Sequence, residues 1–229
     1  MSRLRHFLSI ADLTSPEILS VFSLTKKLKR ELKTRGKNME LLKNKTLVMI
    51  YEKPSLRTRL SFEIGMTQLG GHAIYLGPSD IGLGKRESAA DTSRVISRMG
   101  DIVMARTFSH ATIEELTTHS SIPVINALSD LEHPCQVLAD YFTVLEHKKK
   151  LKGLIVAYIG DGENNVAHSL ALGATLFDMH FRCASPKGYE MSPGIVSQTK
   201  RMMGKTLSFL ETRDPKEAVR NADVIITDT

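Results

Sequence analysis

The sequence predicts an α/β fold of two domains, each a mostly parallel sheet with helices on both faces. Short apolar runs of strand length alternate with longer helical patterns along the 229 residues. Alternation of this kind is typical of βαβ units, in which the crossover helices cover a parallel sheet.

The charged stretch Lys148 to Gly153 follows a long helical pattern and precedes a new apolar strand. We therefore place the domain boundary there, with a first domain over residues 1–149 and a second over 150–229.

Individual elements follow from periodicity and from end signals. Ser15 before Pro16 indicates a helix start, because serine caps free N–H groups and proline fits the first turn. The segment Gly77 to Lys85 carries three further Gly or Pro residues and is predicted to be a mobile loop. The predicted helices lie near 15–36, 55–69, 88–99, 112–119, 134–147, 166–177, 194–203 and 215–221. The predicted strands are 46–51, 72–76, 101–105, 123–127, 154–159, 179–184, 206–210 and 223–227.

Composition fits a soluble globular protein, with 41% hydrophobic and 24% charged residues. No apolar run is long enough to span a bilayer, and Met1 to Ile10 lacks the apolar core of a secretory signal. The two cysteines, Cys135 and Cys183, give no disulfide framework. We therefore expect a reducing, cytoplasmic location and no membrane partner.

The net charge of +6 suits an anionic substrate and would also suit nucleic acid. The densest basic runs, 26–30 and 148–152, lie in or at the end of helical patterns and have no interleaved aromatic residues. Solvated helix faces are favoured, so no nucleic-acid partner is expected.

The segment from Pro54 to Glu63 is the strongest functional signal. It follows the strand at 46–51 and opens a helix with Ser55 at the N-cap. Free N–H groups, the positive end of the helix dipole, hydroxyls and guanidinium groups then converge on a volume that suits a phosphate. Arg57 and Arg59 point in different directions, so one is expected to face the anion and the other to brace the fold. An ordinary capped helix with a solvated basic edge is the alternative.

Further candidates lie at the carboxyl ends of other predicted strands, where sites form in open α/β sheets. They are Arg106, His133 to Gln136, and Gly160 to Asn165. Taken singly, Arg106 reads as a strand-end cation and His133 as a cap or surface residue. A nucleophilic role for Cys135 is disfavoured, because no partner base is evident.

The run Ser55-Leu56-Arg57-Thr58-Arg59 after a strand resembles the carbamoyl-phosphate motif of the aspartate/ornithine carbamoyltransferase family. The second position is often Thr in that family and is Leu here, a change without effect if the contact to phosphate uses the backbone N–H. The resemblance implies the following carbamoyl-phosphate ligands: Ser55, Leu56, Arg57, Thr58, Arg106, His133 and Gln136. Among these, Arg106 and His133 would hold the carbonyl oxygen, Gln136 would contact the carbamoyl amide, and Arg57, Arg106 and His133 would be catalytic.

The run Gly160 to Ser169 and the Cys at position 135 resemble the ornithine branch of the family. That likeness implies that Asn165 contacts the amino-acid end of ornithine and that Asp228 binds its α-amino group. The implied reaction moves the carbamoyl group from carbamoyl phosphate to the δ-amino group of L-ornithine, giving L-citrulline and phosphate in arginine metabolism. The implied assembly is a homotrimer, and no cofactor or metal is expected.

Other readings stay open at this point. The acceptor could be acetylornithine, putrescine or aspartate, or the chain could be an inactive fragment that binds carbamoyl phosphate. A dinucleotide-binding oxidoreductase is disfavoured, because Asn165 breaks the G-x-G-x-x-G spacing that begins at Gly160. An RNA-binding role would rest on net charge alone.

Two departures from the family pattern bear on activity. Gly82 stands near a position that often carries Gln or His and that contacts a neighbouring subunit, a contact that Lys85 or Arg86 could supply instead. The family also continues past Asp228 with further ornithine-binding loops and closing helices. We therefore expect the 229-residue chain to lack the C-terminal part and to make little citrulline by itself.

Overall fold

A computed structural model of the protein describes residues 5–83 and 86–228. The chain forms two compact units. The first contains residues 5–8, 16–83 and 86–130, and the second contains residues 9–15 and 131–228.

The first unit is built on a parallel four-stranded sheet with the strand order β2-β1-β3-β4. Its strands are β1 (Thr46–Tyr51), β2 (His72–Leu76), β3 (Ile102–Arg106) and β4 (Val124–Leu128). Its helices are α1 (Ser15–Arg35), α2 (Leu56–Gln68), α3 (Pro78–Ile81), α4 (Ala89–Ile96) and α5 (His110–Thr118).

Both faces of this sheet are covered by helices, as the alternation of side chains along β1 shows. Val48 and Ile50 pack on one face in a cluster that includes residues of α4 and α5. Leu47 and Met49 point to the other face, where they form a cluster with Met66 of α2. Burial on both sides explains why β1 is apolar at almost every position.

The second unit has its own parallel sheet, with the order β7-β6-β5-β8. Its strands are β5 (Ile155–Ile159), β6 (His180–Ala184), β7 (Phe209–Thr212) and β8 (Val224–Ile226). Its helices are α6 (Pro134–Lys148), α7 (Asn165–Leu176), α8 (Pro193–Met202) and α9 (Pro215–Val219). A short 3-10 helix, Ile10–Asp12, also belongs to this unit. Helix α7 is its central helix, because every residue from Val166 to Thr175 is buried.

The predicted fold class is confirmed, since the chain forms two parallel sheets with helices around them. Most predicted elements agree with the structure to within a few residues. The boundary drawn after residue 149 stays a prediction about which residues bind which substrate. The longer segment of the second compact unit begins at residue 131 and includes α6.

The predicted loop over 77–85 is wrong in part, because it contains α3. Pro78 occupies the first turn, the Asp80 carboxylate accepts from the Gly77 N–H at 2.7 Å, and Gly82 ends the helix with a φ of +62°. The sequence carried these capping signals, but the density of Gly and Pro suggested a loop. Lys85, the proposed substitute for a side chain at position 82, lies outside the described residues.

The strand predicted at 206–210 begins later, at Phe209. A turn in which the Leu207 N–H donates to the Gly204 carbonyl delays its start, and pairing of Phe209 with Phe181 sets its register. The strand then continues through polar residues to Thr212, which an edge strand tolerates because one of its sides is unpaired.

No helix in the described part of the chain has the length and apolarity needed to cross a membrane.

Candidate functional site

The amino end of α2 presents unpaired backbone donors just beyond the end of β1. Ser55 is the N-cap, and its Oγ accepts from the Thr58 N–H at 3.4 Å and bonds the Thr58 Oγ1 at 3.0 Å. The first N–H groups of a helix have no acceptor within the helix, so those of Leu56 and Arg57 remain available to a ligand. This end of the helix therefore offers the donors and the dipole that attract an anion.

Arg106 adds a guanidinium group to the same place. It is the last residue of β3 and lies in register with Tyr51, the last residue of β1. Its Nη1 donates to the Thr58 Oγ1 at 3.4 Å, and its Nε is buried and has no hydrogen-bond partner among the described residues. A buried donor without an acceptor is costly, so this guanidinium is suited to a bound anion.

The charges around Arg106 point the same way. Burial lowers the pKa of Arg106, the nearby Tyr51 opposes that shift, and the positive charge of Arg57 lowers the pKa further. Burial also raises the pKa of Tyr51 to about 12, so its phenol is neutral near pH 7 and does not cancel the arginine charge. Within the described part of the chain these two guanidinium groups have no carboxylate partner, and their closeness favours binding of a doubly charged anion.

Arg57 and Arg59 have the different orientations that the sequence suggested. The Arg59 Nε donates to Glu63 Oε1 at 2.9 Å, and its guanidinium lies 4.0 Å from the centre of the Tyr75 ring. Arg57 makes no side-chain hydrogen bond or ion pair with any described residue. Arg59 therefore braces the helix against β2, whereas no described residue uses the side-chain donors of Arg57.

The side chain of Leu56 is 74% exposed, and because it is apolar it contributes no polar contact at the helix end. Its backbone N–H lies in the first turn of α2 and remains suited to a phosphate oxygen. The Leu at this position is therefore compatible with anion binding through the main chain.

In the second unit, His133 occupies the N-cap position of α6 and is held by α7. Its backbone N–H donates to the Ser169 Oγ at 3.0 Å, and the Ser169 hydroxyl donates to Glu132 Oε2 at 2.9 Å. The same carboxylate oxygen accepts from the Ile10 N–H at 3.2 Å, and Nδ1 of the buried His168 bonds the Leu131 carbonyl at 2.9 Å. These bonds fix the segment that carries His133.

Gln136 and Asp228 both interact with Asp140. The Gln136 Nε2 donates to Asp140 Oδ1 at 2.9 Å. Burial raises the pKa of Asp140, the bond from Gln136 opposes the shift, and the negative charge of Asp228 raises the pKa further. Asp228 in turn accepts from the Asn164 Nδ2 at 3.1 Å, and Asn164 caps α7, whose first residue is Asn165.

Cys135 does not have the properties of a nucleophile. Burial raises the pKa of its thiol to about 12, so the sulfur is protonated at neutral pH. This agrees with the sequence argument against a catalytic thiol.

The structure brings five of the predicted residues together in one group in the first unit. Ser55, Thr58 and Arg106 are joined by hydrogen bonds, with Leu56 and Arg57 in the same helix turn. In the second unit Gln136 bonds Asp140, whose pKa also responds to the charge of Asp228, while His133 caps α6 and Asn165 begins α7. Within residues 5–83 and 86–228, no group of three or more His, Cys, Asp or Glu side chains could hold a metal ion.

Sequence reasoning missed Asp140 and the bond from Asn164 to Asp228. Asp140 is four residues after Gln136 on a predicted helix, and that spacing was a usable signal. The link to Asp228 could not be read from spacing, because it joins residues that are 64 positions apart.

The fold and the group in the first unit define a class of protein: an α/β protein whose donors at one helix amino end suit a phosphate-sized anion. Residues 5–146 match the sequence model of the aspartate/ornithine carbamoyltransferase carbamoyl-P binding domain, and residues 152–229 match that of the Asp/Orn binding domain. The chain belongs to the aspartate/ornithine carbamoyltransferase family.

Several of its relatives are ornithine carbamoyltransferases. An ornithine carbamoyltransferase of Anoxybacillus flavithermus is 48% identical over 98% of this chain and 71% of its own length. One from Methanosarcina acetivorans is 49% identical over 98% of this chain and 72% of its own. The solved structure of ornithine carbamoyltransferase from Pyrococcus furiosus superposes with a TM-score of 0.94, at 45% identity, over 98% of this chain and 72% of that one.

Proposed function

We propose that this chain transfers the carbamoyl group of carbamoyl phosphate to the δ-amino group of L-ornithine, giving L-citrulline and phosphate. The observation that carries the proposal is the cluster of Ser55, Thr58 and Arg106 at the amino end of α2, with Arg57 beside it. This cluster falls in the segment that matches a carbamoyl-P binding domain. Two relatives of the chain are named ornithine carbamoyltransferases.

In the proposed reaction the neutral δ-amine attacks the carbamoyl carbon and a tetrahedral oxyanion forms. The carbon–oxygen bond to phosphate then breaks, and the proton that the δ-nitrogen loses leaves with the phosphate as hydrogen phosphate. Arg57 and the backbone N–H groups of α2 bind the phosphate, and Arg106 holds the carbonyl oxygen together with His133. Arg57, Thr58, Arg106 and His133 stabilise the charge that grows in the transition state. His133 assists at the carbonyl oxygen and Gln136 at the carbamoyl nitrogen. Holding the two substrates together supplies much of the remaining acceleration.

The ornithine end of the substrate is assigned to Asn165 and Asp228. The Asp228 carboxylate is exposed and lies near a second carboxylate, Asp140, which gives this part of the second unit a negative potential. Such a potential favours the ammonium group of an amino acid. We propose that residues 1–149 bind carbamoyl phosphate and residues 150–229 contribute the ornithine ligands.

Binding is the first test. Isothermal titration calorimetry of the 229-residue chain with carbamoyl phosphate should give a saturable signal that phosphate competes away. A chain that binds neither compound would overturn the proposal.

Turnover is the second test. Product is measured by mass spectrometry with ornithine, acetylornithine, putrescine and aspartate as acceptors, and ornithine is expected to be preferred. Preference for another amine would keep the carbamoyl transfer and change the acceptor. The chain spans 71% and 72% of the length of two relatives that are 48% identical to it. Binding without any turnover would favour a carbamoyl-phosphate-binding fragment.

The cellular setting extends the proposal. We assign the chain to arginine metabolism in the cytoplasm, where free thiols such as Cys135 and Cys183 persist. The family resemblance supports a homotrimer, and several apolar side chains of α2 are exposed, among them Leu60 and Ile64. Light scattering after size exclusion measures the mass of the assembly, and a monomer at micromolar concentration would contradict the trimer.

A further inference from the structure

Gln136 and Asp140 form a side-chain pair one turn apart on α6. The Gln136 Nε2 donates to Asp140 Oδ1 at 2.9 Å. Gln136 is exposed and makes no other side-chain hydrogen bond among the described residues, whereas Asp140 is partly buried. The bond therefore joins a group that a solute can reach to one that the protein holds.

The chemistry of the pair determines which end of the amide faces outward. A carboxylate only accepts hydrogen bonds, so the NH₂ group of Gln136 must be the end that faces Asp140. The amide carbonyl, Oε1, is then the end presented on the other side. Without the carboxylate, rotation of the terminal amide would present either end.

We propose that Asp140 is a positioning residue that sets substrate specificity, by orienting Gln136 so that its carbonyl accepts from the NH₂ group of a carbamoyl donor. The inference rests on the proposed function, because it takes Gln136 to be the group that meets the carbamoyl nitrogen. An acyl phosphate with a methyl group in place of NH₂ has no donor for that carbonyl. The oriented amide would therefore discriminate carbamoyl phosphate from acetyl phosphate, two anions of similar size and charge.

The surroundings of Asp140 favour a role in the site over a role in helix stability alone. The negative charge of Asp228, the residue assigned to the ornithine ammonium, acts on Asp140 directly. A Gln-Asp pair at this spacing on an exposed helix adds only about 0.2–0.5 kcal/mol. Asp140 thus interacts with Gln136, which is assigned to carbamoyl phosphate, and with Asp228, which is assigned to ornithine. At this place the direction of the hydrogen bond from Gln136 affects which substrate is bound.

The test compares dissociation constants for carbamoyl phosphate and acetyl phosphate in the wild-type chain and in Asp140→Asn and Asp140→Glu. Asparagine keeps the size of the side chain but can accept or donate, so it no longer fixes the Gln136 amide. Glutamate retains an acceptor-only group. Glu146→Gln is the matched control, because it removes one carboxylate from the far end of the same helix.

We expect the wild-type preference for carbamoyl phosphate to fall roughly 10-fold in Asp140→Asn, equal to about 1.4 kcal/mol. The preference should be partly restored in Asp140→Glu and unchanged in Glu146→Gln. Circular dichroism and melting of each variant separate this effect from a loss of folding. Asp140→Ala, which removes the acceptor and should also lose the preference, carries the test if the Asn variant unfolds.

Two results would overturn the inference alone: a wild-type chain that binds both compounds equally well, or an Asp140→Asn variant that keeps the wild-type preference. A wild-type chain that does not bind carbamoyl phosphate would refute the proposed function, and this inference with it.

Discussion

Replacing Arg57 and Arg59 separately by alanine distinguishes a ligand-binding arginine from a structural one in the same helix turn. The two residues have the same side chain and are two positions apart, but their contacts differ. Arg59 pairs with Glu63 and lies over Tyr75, while Arg57 has no partner among the described residues. Arg57→Ala should therefore weaken ligand binding, whereas Arg59→Ala should lower the stability of the fold.

For Arg57→Ala we expect weaker binding with little change in stability. A charge-assisted hydrogen bond contributes about 1.5–3 kcal/mol, so the loss of one such bond to phosphate weakens binding roughly 10- to 150-fold. Losing further bonds from the same guanidinium takes binding out of the measurable range. Because the side chain is exposed and unpaired within the described residues, the free energy of unfolding should change by less than about 0.5 kcal/mol.

For Arg59→Ala we expect the reverse. The exposed pair with Glu63 contributes about 0.3–0.5 kcal/mol and the contact over Tyr75 about 0.5–1 kcal/mol, so stability falls by about 1 kcal/mol. That loss lowers the melting temperature by roughly 2–4 °C in a chain of this size. Carbamoyl-phosphate binding should stay within about 3-fold of wild type, a difference of about 0.65 kcal/mol.

Isothermal titration calorimetry gives the two dissociation constants, and thermal melting without ligand gives the two stabilities. Undiminished binding in Arg57→Ala would refute the assignment of the helix end as the phosphate site. Loss of binding in Arg59→Ala with unchanged melting would show that the roles of the two arginines are reversed.

Three further predictions concern residues that support the fold around the site. Ser169→Ala removes both the acceptor of the His133 N–H and a donor to the buried Glu132. The free energy of unfolding, measured with urea, should therefore fall by about 1–3 kcal/mol. A fall of less than about 0.5 kcal/mol would show that stability does not depend on this network. Burial raises the pKa of the Cys183 thiol from 9.0 to about 11, so the folded state holds this proton more tightly than the unfolded state. The free energy of unfolding should therefore fall as pH rises from 9 to 11, by up to about 3 kcal/mol from this group. An equally steep fall in Cys183→Ala would contradict the assignment. Gly82→Ala places a side chain at a φ of +62° and 3.0 Å from the Arg86 Cβ. The backbone amide of residue 82, which donates to the Pro78 carbonyl, should then undergo hydrogen exchange roughly 5- to 30-fold faster, and Gly82→Asn should show a smaller effect. Wild-type exchange in Gly82→Ala would refute the role of Gly82 as the cap of α3.

The sequence alone determined most of the fold, because the physical signals were local. The continuous apolar run at 46–51 predicted a strand whose side chains are buried on both faces of a sheet, and β1 is such a strand. Ser55 before a helical pattern predicted the cap that α2 has. The spacing of Arg57 and Arg59 predicted that their side chains diverge, since residues two apart on a helix do not share a face.

Tertiary structure decided which arginine is available and what each polar group contacts. Only the register of β3 against β1 brings Arg106 to Thr58, a residue 48 positions away, and no local pattern encodes that approach. The same is true of the bond from Asn164 to Asp228 and of the network that holds His133 through Ser169. Local periodicity records which face of an element is buried, but the partner of a polar side chain depends on how distant elements pack, and that is determined only when the chain folds.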